Sequence, residues 1–102
     1  MNVITRRRLL DFANRHPDAS ESLDRWYRVA HAARWQSLDD LRQTFPHADL
    51  ARVASGNTVT VFNVGGNKFR LVAAIHYNRQ RVYVLRILTH AEYDRESWKA
   101  AL

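Results

Sequence analysis

Two short stretches of this chain gather side chains that can move protons and hold phosphate. In Thr89-His90-Ala91-Glu92-Tyr93-Asp94, an imidazole lies three residues before a phenol and four before a carboxylate, so on a helix the three share one face. Thr89 followed three positions later by Glu92 has the pattern of a capping box, which makes Thr89 the N-cap and His90 the first helical residue. Backbone N–H groups and the helix dipole favour an anion at such an end, and an imidazole beside it can take a proton. The second stretch surrounds Lys68 and Arg70. Alternation along a strand sends Phe69, Leu71, Ala73 and Ile75 to one face and Lys68, Arg70, Val72, Ala74 and His76 to the other. A core face is thus backed by a face that opens with two cations. On a neighbouring strand, Val82, Val84, Arg86 and Leu88 alternate to one side, and whether Arg86 joins Arg70 depends on the hairpin register.

The elements that must position these groups follow from hydrophobic spacing. A short helix carries Leu9, Leu10, Phe12 and Ala13 and stops before Pro17, because the residue preceding a proline is pushed out of the α region. Leu23, Trp26, Tyr27, Ala30 and Ala33 form the apolar stripe of a second helix, for which Asp18 and Glu21 supply a capping box. A third starts at Ser37, turns Leu38, Leu41 and Phe45 inward and ends at Pro46. From Thr58 the period becomes two, and residues 58–64, 68–77 and 81–88 predict an antiparallel meander. Gly65-Gly66-Asn67 supplies positive-φ residues for the first turn, and Asn78-Arg79-Gln80 the second loop. Residues 47–57 are ambiguous between a loop and a short strand around 50–53, with a turn at Ser55-Gly56-Asn57. Residues 1–4 can add an edge strand, and the helix capped by Thr89 is expected to run through Trp98. The fold class is α+β: N-terminal helices packed on a small antiparallel sheet, with a short C-terminal helix. No repeat or linker divides the chain, so residues 1–102 read as one domain.

Composition narrows the chemistry. The 102 residues contain 16 Lys and Arg against 10 Asp and Glu, a net charge of +6, and no Cys. Disulfide scaffolds, Cys-ligated metals and thiol nucleophiles are excluded. The five histidines show no HxH, HxxxH or HxxxE spacing, so neither a metal nor another cofactor is expected. No apolar stretch approaches the roughly 20 residues that span a bilayer, and the start runs into Arg6-Arg7-Arg8 without a signal-peptide core. A soluble cytoplasmic protein with no membrane partner is expected. Apart from Lys68 and Lys99 the cations are all arginines, whose guanidinium forks onto phosphate oxygens and stacks on planar groups. Polyanions are the natural partners. Arg6, Arg7 and Arg8 spread over about 200° of a helix, so part of the triplet faces solvent. Arg79 and Arg81 flank a hairpin loop and are further candidates for phosphate contact.

Three segments carry a resemblance: Val61-Phe62-Asn63-Val64-Gly65-Gly66-Asn67-Lys68-Phe69-Arg70-Leu71-Val72-Ala73, then Ile75-His76-Tyr77, then Leu88 through Asp94. Together they resemble the HigB-type toxins of bacterial toxin–antitoxin modules, members of the RelE-like superfamily. The likeness extends over the whole chain in length and order, including Asn2-Val3-Ile4-Thr5 and the basic first helix, although the first half matches only loosely. It implies a RelE-like α+β domain that cleaves mRNA, typically on translating ribosomes, and that is silenced by a cognate helix-turn-helix antitoxin of the HigA type. Arg70 is similar to the strand arginine that contacts the scissile phosphate in these toxins, with Lys68 two residues earlier. His90 and Tyr93 fall where relatives place a basic or imidazole side chain and an aromatic one.

The chemistry such a toxin needs can be stated on its own. RNA carries its nucleophile, the 2′-hydroxyl, so a nuclease must orient it, remove its proton, stabilise the phosphorane and protonate the leaving oxygen. None of these steps requires a metal. Lys68 and Arg70 are candidates for charge stabilisation, His90 for proton exchange as base or acid, and Tyr93 for stacking on or hydrogen-bonding the flanking nucleotide. Arg86, Asn67 and Arg81 are candidates for RNA binding, although Asn67 also suits the turn. The competing reading is a non-catalytic basic module that binds RNA or DNA through the same face. Discrete cuts in a translated message separate the two.

Overall fold

The computed structural model describes Met1–Leu102, and its centre is a five-stranded sheet. In chain order the strands are β1 (Asn2–Ile4), β2 (Asp49–Arg52), β3 (Thr58–Val64), β4 (Phe69–His76) and β5 (Arg81–Thr89), lying side by side as β1-β5-β4-β3-β2. From β2 to β5 neighbours are antiparallel, whereas β1 pairs in parallel with β5. The expected meander is therefore present, and a parallel edge makes the sheet mixed. Gly65 and Gly66 take positive φ in the β3–β4 turn, where L side chains are strained. Asn67 does not, contrary to expectation, because the two glycines already reverse the chain.

The helices are α1 (Arg6–Arg15), α2 (Ser20–Ala32), α3 (Leu38–Thr44) and α4 (His90–Asp94). Ser37 caps α3, accepting a hydrogen bond from the Asp40 N–H. The capping box proposed for Asp18 and Glu21 does not form. Pro17 starts a 3₁₀ turn, Pro17–Ala19, that runs straight into α2 and leaves Ala19 at the N-cap. The Asp18 carboxylate turns instead toward Lys68, 3.9 Å away. At the other end of α2, Ala33 is already extended and lies outside the helix. The C-terminal helix is also shorter than its pattern predicts. It stops at Asp94, Glu96 adopts a left-handed φ of 59°, and Trp98 belongs to a separate 3₁₀ segment, Ser97–Ala101. No helix is long and apolar enough to cross a membrane.

Apolar residues cover both faces of the sheet, to different depths. Eighteen buried residues lie on the side of α1, α2 and α3, among them Phe12, Leu23, Trp26, Leu41, Phe62, Leu71 and Val82. Six lie on the opposite side: Val53, Val59, Val61, Val72, Leu88 and Trp98. The β4 alternation places Phe69, Leu71 and Ala73 in the larger cluster and Val72 in the smaller, as its pattern requires. In β5 the pattern breaks. Val72 faces Arg86 and Ala73 faces Val84, which leaves Leu85 as the extra residue of a β-bulge. Val82 and Val84 thus pack on the helical side while Arg86 and Leu88 point to the other, so these four do not share a face as simple alternation predicts.

Candidate active site

The end of β4 nearest the β3–β4 turn is where the candidate side chains meet. Arg70 stands between Asn63 of β3 and Leu88 of β5, two pairs along from Val61, Val72 and Arg86. Facing residues of an antiparallel ladder point the same way, so Arg70 and Arg86 share the face of the smaller apolar cluster. Nη1 of Arg70 donates to the carbonyls of Asn67, at 3.2 Å, and Phe69, at 3.1 Å. Its guanidinium carbon lies 5.6 Å from the centre of the Tyr93 ring, within cation–π range. A guanidinium has five N–H donors, so this arrangement aims the group and leaves donors for a phosphate.

Tyr93 is itself held from below. Its ring stacks on Trp98 with centroids 5.5 Å apart, and the Trp98 indole N–H donates to the Tyr93 carbonyl at 3.1 Å. The front of α4 is fixed by the predicted capping box: the Glu92 N–H donates to the Thr89 hydroxyl at 3.2 Å, and the Thr89 N–H to the Glu92 carboxylate at 2.9 Å. That last bond is the main reason the Glu92 carboxyl titrates below the usual range. Partial burial opposes the shift, and the Thr89 hydroxyl, Arg95 and His16 add to it. The next N–H, that of His90, donates to the Lys68 carbonyl at 2.9 Å, tying α4 to the root of the turn. Nδ1 of His90 lies 2.9 Å from a carboxylate oxygen of Asp94.

A family profile described as HigB_toxin, the RelE-like toxic component of a toxin-antitoxin system, matches residues 19–96. The chain belongs to the HigB toxin family. Over 95 residues it is 30% identical to the mRNA interferase HigB of Escherichia coli O6:H1, spanning 93% of this chain and 90% of that protein. Over 94 residues it is 31% identical to the mRNA interferase toxin HigB of Escherichia coli K12 and to the mRNA interferase HigB of Shigella flexneri, spanning 92% of this chain and 88% of each. The α+β architecture is consistent with the RelE-like fold that this family description names.

Not every expected residue reaches this corner of the HigB-family fold. Lys68 precedes β4, and its ammonium turns to Asp18 on the helical side, so it flanks the strand end from across the sheet instead of sharing the face of Arg70. Arg81 faces His76 at the far end of β4. Six steps along the strand separate that pair from Arg70, roughly 20 Å. Asn67 is an exposed turn residue whose carbonyl, and no side-chain atom, is seen to bond Arg70. Arg86 sits between two surfaces: its Nη1 donates to the Leu85 carbonyl at 2.7 Å, and it lines a groove of about 180 Å³ with Arg8, Asp11 and Arg15 of α1. His16 reaches the corner unforeseen. It stacks on Phe12 at 4.4 Å and edges onto Phe69 at 5.8 Å. Nothing in its spacing marks it, because the contacts arise only once α1 packs on the sheet. No three His, Asp or Glu side chains converge where they could hold a metal ion.

Proposed function

We propose that this HigB-family chain is an mRNA interferase, an endoribonuclease that cuts message on the translating ribosome without a metal and so stops protein synthesis. Residues 1–102 act as one toxin domain in the cytoplasm, restrained by a helix-turn-helix antitoxin of the HigA type. The observation that carries the reading is the corner itself: a guanidinium set over a phenol, beside an imidazole whose backbone is bonded to the root of the same turn. The 2′-oxygen bonds to phosphorus and gives its proton to His90. The bond from phosphorus to the 5′-oxygen breaks, and that oxygen takes a proton from water, to which the imidazolium later returns one. The products are a 2′,3′-cyclic phosphate and a 5′-hydroxyl. Arg70, joined by Lys68 once its exposed ammonium leaves Asp18, stabilises the phosphorane charge, and Tyr93 stacks on or hydrogen-bonds the flanking nucleotide. Arg86 and Asn67 contact RNA beside the cut. Arg81, at the far end of the sheet, contacts RNA only away from it.

The purified protein, added to cell-free translation of a defined message and read by primer extension, is expected to leave discrete cuts within codons. Arg70→Ala lowers the cleavage rate about 10²- to 10³-fold, the cost of removing one donor from developing oxyanion charge. Intact message together with tight, salt-sensitive binding overturns the proposal in favour of a non-catalytic RNA- or DNA-binding module.

A further inference from the structure

Asp94 has no part in the reaction as described so far, yet its Oδ2 lies 2.9 Å from Nδ1 of His90, one helical turn away. A carboxylate offers only lone pairs, so in this contact Nδ1 carries the hydrogen and Nε2 of the neutral ring keeps the free lone pair. We infer that Asp94 is the positioning residue of the site: it holds the His90 imidazole in the Nδ1–H form, presents Nε2 to the 2′-hydroxyl and steadies the imidazolium after the proton has moved. This rests on the reading of His90 as the proton acceptor.

Stability gives no sufficient reason for the pair. The two side chains are 50% and 61% exposed, and ion pairs in that setting contribute little to folding. Geometry gives a better one. A five-residue helix does not hold its shape alone, but α4 is pinned in front by the capping box and the His90–Lys68 backbone bond, and behind by the Trp98 indole. His90 and Asp94 are therefore held one turn apart before any substrate arrives. Cations stand on the segments that α4 packs against: Lys68, just before β4, accepts the His90 N–H on its carbonyl, and Arg70 of β4 lies over the Tyr93 ring. Of the two acids of α4, Glu92 is engaged by the Thr89 N–H, which leaves Asp94 as the one that bonds the imidazole.

The test measures cleavage of a translated message as a function of pH for the full chain and its His90→Ala, Asp94→Asn, Asp94→Glu and His90→Ala/Asp94→Asn variants. Asp94→Asn is expected to lower kcat roughly tenfold with KM unchanged, less than the ~10⁴-fold effect of neutralising a buried carboxylate behind a catalytic imidazole. The acidic limb of its pH–rate profile moves to lower pH, because the protonated ring loses its stabilising charge. Asp94→Glu retains most of the rate, and Asp94→Asn causes no further loss in the His90→Ala background. A slow His90→Ala alongside an Asp94→Asn of normal rate and unmoved limb overturns the role of Asp94 alone. An equal loss from Asp94→Asn in both backgrounds does the same. Full-rate cleavage by His90→Ala overturns the reading of His90 and, with it, this inference.

Discussion

Eighteen buried apolar residues lie between the sheet and α1, α2 and α3, whereas six lie beneath the C-terminal segment on the opposite face. The deep side is closed by three helices and by aromatic rings packed edge to face, such as Trp26 on Phe62 at 5.4 Å and Phe45 on Phe62 at 5.2 Å. The shallow side depends on Trp98, and its upper end stays open around Arg70, Tyr93 and His90. The contrast teaches a division of labour: the fold is held from one face and the candidate chemistry is displayed on the other, on a helix too short to stand without tertiary support.

The largest effect that can break this comparison is Phe62→Ala. Removing a ring that is 1% exposed is expected to lower the unfolding free energy by about 4 kcal/mol in a urea titration, with cleavage per folded molecule unchanged. Trp98→Ala comes next and sharpens the contrast. It costs about 3 kcal/mol and also lowers cleavage per folded molecule roughly ten- to a hundredfold, because Tyr93 loses both its stacking partner and the indole hydrogen bond. Equal activity per folded molecule in the two variants sinks the division of labour. The smallest effect is that of Glu92→Gln. The Glu92 carboxyl titrates below its unfolded value, so it adds stability that is fully present above about pH 4.3 and is lost as pH falls through the lowered value. Gln can accept the Thr89 N–H without titrating, so the variant shows a shallower loss of stability in that acid window. The difference is roughly 0.5 kcal/mol or less after solvent screening, measured by denaturant titration from pH 3 to 6.

What the sequence made legible follows how local each determinant is. The Thr89–Glu92 capping box spans four residues and forms as its pattern requires, and β3 has the bounds that alternation predicts. The joining of His90 to Asp94 was implicit in their spacing. Features that depend on distant partners were hidden. The parallel pairing of β1 with β5 joins residues nearly eighty positions apart. The stop after Asp94 reflects the left-handed Glu96, which lets Trp98 fold back onto Tyr93, and periodicity carries no sign of it. Asp18 is a good capping residue that was captured by a 3₁₀ turn and by Lys68. Alternation places Arg86 with Val82 and Val84 because it counts residues within one strand, whereas a bulge is a property of two.

That single unmatched residue has a consequence of its own. Leu85 changes the parity of β5, so the side on which the segment beyond it displays Arg86 is set by a count of amino acids rather than by their identity. Substitutions can tune such a surface only gradually, whereas losing or gaining one residue at this point inverts it in a single step.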